Sequence, residues 1–213
     1  MRIMRLIRVL FISLAALTLL AACRSGGGFA PYLATFDEVG RWSVGDDIYS
    51  SGQVRDGVYE LLIKNDDVSR WAAAGETFDD GIYTVEATQV EGPLDNGYGM
   101  LFRADAKAGN FYLFKISGDG YVWIGRYRGG AEEAPLVGGH WFESKAVRQG
   151  LNVTNTLRVI AESGNLIFFV NDQEVGRVTD NTFRRGDIGL FAQTLGFSGV
   201  RVAFDNFSVR PLE

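Results

Sequence analysis

The sequence predicts an all-β fold, two antiparallel sheets packed face to face as a sandwich, and three observations carry that expectation. Short segments rich in β-branched and aromatic residues follow one another along the chain. Gly, Asn and Asp turn signals separate them about every 8–12 residues. Within them apolar and polar residues alternate: Leu157, Val159 and Ala161 lie against Arg158 and Glu162, and Val200, Val202 and Phe204 against Arg201, Ala203 and Asp205. Period-two alternation is expected where one face of each sheet is buried and the other meets water.

The segments run in order. DGVYELLIK (56–64), GIYTVEATQV (81–90) and GYGMLFRAD (97–105) come first. NFYLFKIS (110–117) and YVWIGRYR (121–128) are joined by Gly118-Asp119-Gly120, a tight-turn signal. NTLRVIAES (155–163), NLIFFVND (165–172) and QEVGRVTD (173–180) are closed into hairpins by Ser163-Gly164-Asn165 and Asn171-Asp172. GDIGLFAQT (186–194) and VRVAFDNFSVR (200–210) end the chain. No long helix is expected. VSRWAAAGETF (68–78) reads as one or two helical turns, and the 145–150 region as another short piece.

The N-terminus has a different grammar. Arg2, Arg5 and Arg8 precede a run, Val9 to Ala22, that is apolar except for Ser13 and Thr18. A charged start, an apolar stretch shorter than the roughly 20 residues of a membrane span, and small residues before a cut site describe an export signal over 1–22. Leu20-Ala21-Ala22-Cys23 resembles the lipobox of bacterial lipoproteins. That resemblance implies a diacylglyceryl group on Cys23, cleavage just before it, and an extracytoplasmic, lipid-anchored protein. Cys23 is the single cysteine, so no internal disulfide forms, and the single histidine, His140, is far away in sequence for a shared metal site. Residues 23–31, RSGGGFAP after the cysteine, read as a flexible tether, and 32–213 as one domain of ample size for a core. Without the three leader arginines the formal charge falls from −5 to −8. Scattered acidic charge leaves no footprint for nucleic acid.

The order of the domain segments resembles concanavalin A-like lectin and glucanase domains, in the branch near laminin-G-like and 3-keto-disaccharide hydrolase-like domains. Phe36-Asp37 and Trp42, the Tyr83–Glu86 strand, the paired aromatic strands 110–128, Gly186-Asp187-Ile188-Gly189-Leu190 and Phe204-Asp205-Asn206-Phe207 carry it. The resemblance implies a jelly-roll sandwich with close chain ends, in a fold often used to bind sugars.

Catalytic patterns are thin. Retaining glycosidases of this fold class use a Glu-x-Asp-x-x-Glu strand, because nucleophile and acid must stand about 5–5.5 Å apart. Here only Glu86 is acidic on the matching strand, and it is expected on an open face, paired with Arg103. His140 has no Gly-x-Ser-x-Gly elbow to serve, and no zinc motif occurs. No cofactor is called for, although Asp46, Asp47, Asp66, Asp67, Asp79, Asp80 and Asp205 leave a structural calcium ion open beside their ordinary role in turns.

Carbohydrate is the expected ligand. Sugar rings present apolar C–H faces and peripheral hydroxyls, so a site needs aromatic platforms beside hydrogen-bonding groups. Arg103, Tyr112, Lys115, Trp123, Tyr127 and Trp141 are the candidates. Non-catalytic binding is the leading expectation. A glycoside-acting hydrolase and a structural or adhesive envelope domain are the alternatives.

Overall fold

The computed structural model describes residues 29–212. The expected signal, Cys23 and most of the tether lie outside the described residues. Sixteen strands follow: β1 (Tyr32–Ala34), β2 (Gly45–Asp46), β3 (Ser50–Arg55), β4 (Val58–Ile63), β5 (Ser69–Ala73), β6 (Gly81–Glu91), β7 (Gly97–Asp105), β8 (Asn110–Ser117), β9 (Tyr121–Arg128), β10 (Ala131–Glu132), β11 (Phe142–Glu143), β12 (Thr154–Glu162), β13 (Asn165–Val170), β14 (Gln173–Thr179), β15 (Asp187–Gln193) and β16 (Val200–Arg210).

The hairpin turns decide where these strands fold back. Asp56-Gly57, Ser163-Gly164 and Asn171-Asp172 all have positive φ at both central residues. That is the type I′ geometry, whose twist matches the strands it joins. Asn and Asp tolerate it better than most side chains, which is why Asn171-Asp172 serves without a glycine.

Nine strands form one sheet in the order β14-β13-β12-β6-β16-β4-β3-β2, with β1 added on β16. Seven form the other, β10-β9-β8-β7-β15-β5, with β11 added on β9. All pairings are antiparallel. Between the sheets lies one apolar core: Tyr83, Val85 and Ala87 from β6, Phe102, Phe114 and Ile124 from the facing sheet, and Val202 and Phe204 from β16. At the N-terminal edge Phe36, Trp42, Tyr59 and Phe207 pack ring against ring.

Two expectations are corrected. The alanine-rich stretch after Val68 is strand β5, not helical turns: Trp71 pairs with Phe191 and Ala72 with Leu190, so tertiary pairing overrides local propensity. The 145–150 region has no helix; Ala146 and Val147 are buried in the core.

The sheets also differ. In β6 and β12 buried and half-buried residues alternate, as expected of a sheet with one wet face. In β7, β8 and β15 all but one residue is buried, and in β9 five of eight are. The outer face of the seven-stranded sheet holds its own cluster of Leu101, Ala104, Phe111, Leu113, Trp123, Tyr127 and Phe191, with Trp141 packed against it. The expectation that each sheet buries one face holds for the nine-stranded sheet alone.

β6 runs from Gly81, beside which the chain enters at Phe29, to Glu91. Its eleven residues span about 33 Å. The loops after β6, β8 and β15 therefore gather at the end of the sandwich away from the chain's entry.

Candidate functional site

Strand register fixes which side chains meet on the outer face of the seven-stranded sheet. One transverse row reads Trp71, Phe191, Gly99, Lys115, Trp123 across β5, β15, β7, β8 and β9. Beside it, toward the far end, lie Ser69 opposite Gln193 and Gly97 opposite Ser117.

Lys115 is at the centre of this face. Its ammonium stands 4.2 Å from the Trp123 ring centroid, 5.2 Å from Trp141 and 5.6 Å from Phe191. It donates to Gln193 Oε1 at 2.7 Å and to Glu132 Oε2 at 3.1 Å. The same Glu132 oxygen accepts the Tyr127 hydroxyl at 2.9 Å. Burial pushes the Lys115 amine below its ordinary value, opposed by the Glu132 charge. Aromatic faces and a carboxylate together stand in for the water that Lys115 has lost. Close approach completes the arrangement. The Trp123 indole lies over Gly125, where a Cβ would come within 2.3 Å of it, and a Cβ on Gly97 would meet both Trp141 and Gln193 at 3.1 Å.

Trp141 also borders a cavity of about 220 Å3 lined with Asp95, Ser117, Asp119, Tyr121 and Leu195. The β6–β7 loop supplies Asp95, the β8–β9 turn Asp119 and the β15–β16 loop Leu195. Ser117 donates its hydroxyl to Asp119. Among the described residues the Asp95 carboxylate, the Tyr121 hydroxyl and the Trp141 indole N–H have no side-chain or backbone partner. Larger hollows lie elsewhere on the surface, one of them, near 460 Å3, between β13 and β14 at Glu162, Asn165 and Arg177. The one near 350 Å3 includes Asp46, Asp47 and Arg70. There Asp46 holds Lys64, Asp47 caps the backbone of Tyr49 and Ser50, and Arg70 lies over the Tyr49 ring. The one near 450 Å3 is lined almost wholly by the single run 32–42, whose Trp42 N–H already bonds Tyr32.

Of the six expected ligand residues, Lys115, Trp123, Tyr127 and Trp141 come together on this face. Arg103 and Tyr112 do not. Tyr112 alternates with Phe111 and Leu113, so it faces inward, stacked on Phe102, and donates its hydroxyl to Asp180. Arg103 would share the outer parity of Leu101, but β7 inserts one extra residue between Phe102 and Asp105, with positive φ at Arg103. This β-bulge re-aims the side chain. Its guanidinium clasps Asp80 Oδ1 at 2.7 Å, the Phe183 carbonyl at 3.2 Å and the Asp79 carbonyl at 3.4 Å. Glu86 lies on the nine-stranded sheet, where it accepts from Asn206 Nδ2 of the neighbouring β16 at 3.1 Å instead of pairing with Arg103.

His140 is exposed in its loop. Of the aspartates that left calcium open, Asp80 also accepts Ser163 N–H, Asp67 accepts Gly196 N–H, and Asp205 accepts Asn206 N–H. Among the described residues no group of three or more His, Cys, Asp or Glu side chains is placed to hold a metal ion.

Asp95, Ser117, Asp119, Glu132, Gln193 and Leu195 are members of this region that the sequence reading passed over. Asp119 reads as a turn residue, and Glu132 sits on a strand of two residues. Leu195 and the exposed Phe197 carry a signal in hindsight, apolar side chains in a glycine-containing loop.

No family model and no curated protein sequence matches the chain. Solved structures do match its fold. The fold is a jelly-roll β-sandwich. A carbohydrate binding module, CBM66 from Bacillus subtilis, superposes with a TM-score of 0.64 at 17% identity, over 80% of this chain and 96% of that one. The Bacillus licheniformis β-glucanase gives 0.59 at 13% identity, over 88% and 100%. The Crh5 transglycosylase in complex with NAG gives 0.64 at 10% identity, over 87% and 86%. Similarity at this level is of architecture, and the site is argued from its own residues.

Proposed function

We propose that the chain binds carbohydrate without cleaving it, at the cavity bordered by Trp141 and Tyr121. The observation that carries this reading is the combination of two aromatic rings with the unpartnered Asp95 carboxylate, Tyr121 hydroxyl and Trp141 N–H. A sugar ring lays its C–H face on an aromatic plane while its hydroxyls donate to carboxylates and accept from N–H and O–H groups. The fold is shared with a structure named as a carbohydrate binding module and with others named as a glucanase and a transglycosylase, which supports a sugar ligand. Binding is favoured over hydrolysis by the surroundings of the two cavity carboxyls. Asp95 is exposed and Asp119 accepts the Ser117 hydroxyl, so neither has the apolar enclosure that makes a carboxyl a general acid. The test is a glycan array probed with the purified full-length chain. Selective binding that falls at least tenfold in Trp141→Ala is the expected result, and no binding to any glycan overturns the reading.

We also propose that Cys23 carries a lipid anchor in an extracytoplasmic membrane leaflet. One acyl chain gives marginal attachment and two or three give a stable one. The chain enters the sandwich at the end opposite the cavity, so a tether there leaves the cavity facing away from the membrane. Cys23→Ser is expected to move the protein to the soluble fraction or leave it uncleaved. Undiminished incorporation of labelled fatty acid overturns the proposal.

A further inference from the structure

We infer that the cavity accepts a single neutral sugar ring at the end of a glycan, and not an internal stretch of chain; the inference rests on the carbohydrate reading above. Three observations carry it.

The first is size. A volume of about 220 Å3 falls below the roughly 300–1,000 Å3 of pockets that enclose drug-sized ligands. It suits one ring with its hydroxyls.

The second is closure. An internal segment would have to leave the cavity on two sides, and one natural exit runs inward over the sheet. That exit is filled. Trp141 and Gln193 close over Gly97, Gln193 accepts from Lys115, and behind them Lys115 and Trp123 are each only 1% exposed. A pyranose entering from the loop end therefore stops against a wall built of interlocked side chains, and the rest of its chain trails outward. The walls on the open side are loops: Asp95, Asp119 in its turn, and Leu195.

The third is charge. Asp95 and Asp119 both line the cavity, and Glu143 lies opposite Tyr121 in the β9–β11 pairing. No arginine or lysine lines it; Lys115 lies behind Trp141, already paired with Glu132. Carboxylates accept hydroxyl protons well and repel another carboxylate. The ring is thus one with free neighbouring hydroxyls and no acid group. Terminal uronic acids are excluded by the same groups that would hold a neutral hexose.

The experiment is calorimetric titration of the full-length chain with methyl glycosides of the common neutral hexoses, the matching methyl uronates, and oligosaccharides of two to six units. The hexose that binds is expected to keep its affinity within about threefold as the chain behind it lengthens. Its uronate is expected to bind at least tenfold more weakly. Trp141→Ala and the exposed Asp95→Asn are each expected to lose at least tenfold, with thermal midpoints recording whether the fold is intact. Affinity that rises tenfold or more with chain length, or equal binding of the uronate, overturns the inference while leaving the carbohydrate reading standing. Absence of binding to any member of the panel and to any arrayed glycan overturns both.

Discussion

The Lys115 ammonium lies 4.2 Å from the centre of the Trp123 ring, on a sheet face where both side chains are almost fully buried. Lysine is seldom buried without a partner. Here the partner is Glu132, itself 42% exposed on the edge strand β10. The face is held together from its rim, and the candidate cavity depends on it through Trp141.

Removing that partner tests the dependence. Breaking a fully buried ion pair costs about 3–5 kcal/mol. Glu132 is partly solvated and Lys115 keeps Gln193, so Glu132→Gln is expected to cost about 1–3 kcal/mol after that discount. Lys115→Met with Glu132→Gln replaces the pair by apolar and neutral groups and is expected to recover most of the loss. Urea unfolding of the three proteins checks this; a double variant as unstable as Glu132→Gln alone contradicts the role given to Lys115.

Gly125 is the second test of the same face. A methyl group there would meet the Trp123 ring at 2.3 Å, with the indole already confined by Lys115. Gly125→Ala is expected to tilt the ring and cost about 1–3 kcal/mol, the usual range for overpacking. Near-ultraviolet circular dichroism should lose intensity in the tryptophan region. An unchanged spectrum with unchanged stability would mean the ring is free to move.

Much of this was legible in the chain. β7, β8, β9 and β16 have the bounds their sequences suggest, because alternation and turn residues agree there. β5 was hidden because three successive alanines favour a helix until Phe191 and Leu190 pair with the segment. On the site, period two already separates Tyr112 from Lys115, three residues apart and hence on opposite faces. Arg103 is different. Its parity matches the outer face, and only the bulge, a product of pairing with β8 and β15, turns it away. Asp95 and Asp119 look like any turn aspartates, since a cavity between loops is set by tertiary packing.

Asp180 makes the end of the sandwich that is remote from the cavity sensitive to acid. Partial burial works to raise its carboxyl, but hydrogen bonds from the Tyr112 hydroxyl and Thr182, with the Arg126 charge, outweigh this and hold it below the ordinary 3.8. A carboxyl lowered in the folded state binds fewer protons there than in the unfolded chain, so its contribution is complete above the unfolded value and is lost as pH falls through the folded one. Wild-type stability is expected to drop between about pH 5 and pH 2, and the drop to be shallower in Asp180→Asn. Urea midpoints across that range read the difference, and parallel curves would remove Asp180 from the account.

Arg103 separates scaffold from site. Its guanidinium is fully buried and joins the β5–β6 connection, at Asp79 and Asp80, to the β14–β15 connection at Phe183. Arg103→Met keeps bulk but removes one donor from two carbonyls and a carboxylate, of which Asp80 keeps Ser163 N–H and the Asp79 carbonyl keeps the Tyr83 hydroxyl. The expected loss is about 1–3 kcal/mol, from the Phe183 carbonyl left without this donor and an ion pair opened to partial solvent on the Asp80 side. Arg103→Lys restores the charge but not the three-pronged geometry and is expected to recover only part of it. Because the bulge points this residue away from the Trp141 cavity, glycan affinity measured below the unfolding transition is expected to stay within about twofold of wild type. A tenfold loss of affinity in a folded Arg103→Lys protein would place the ligand at this end of the sandwich and move the site away from Trp141.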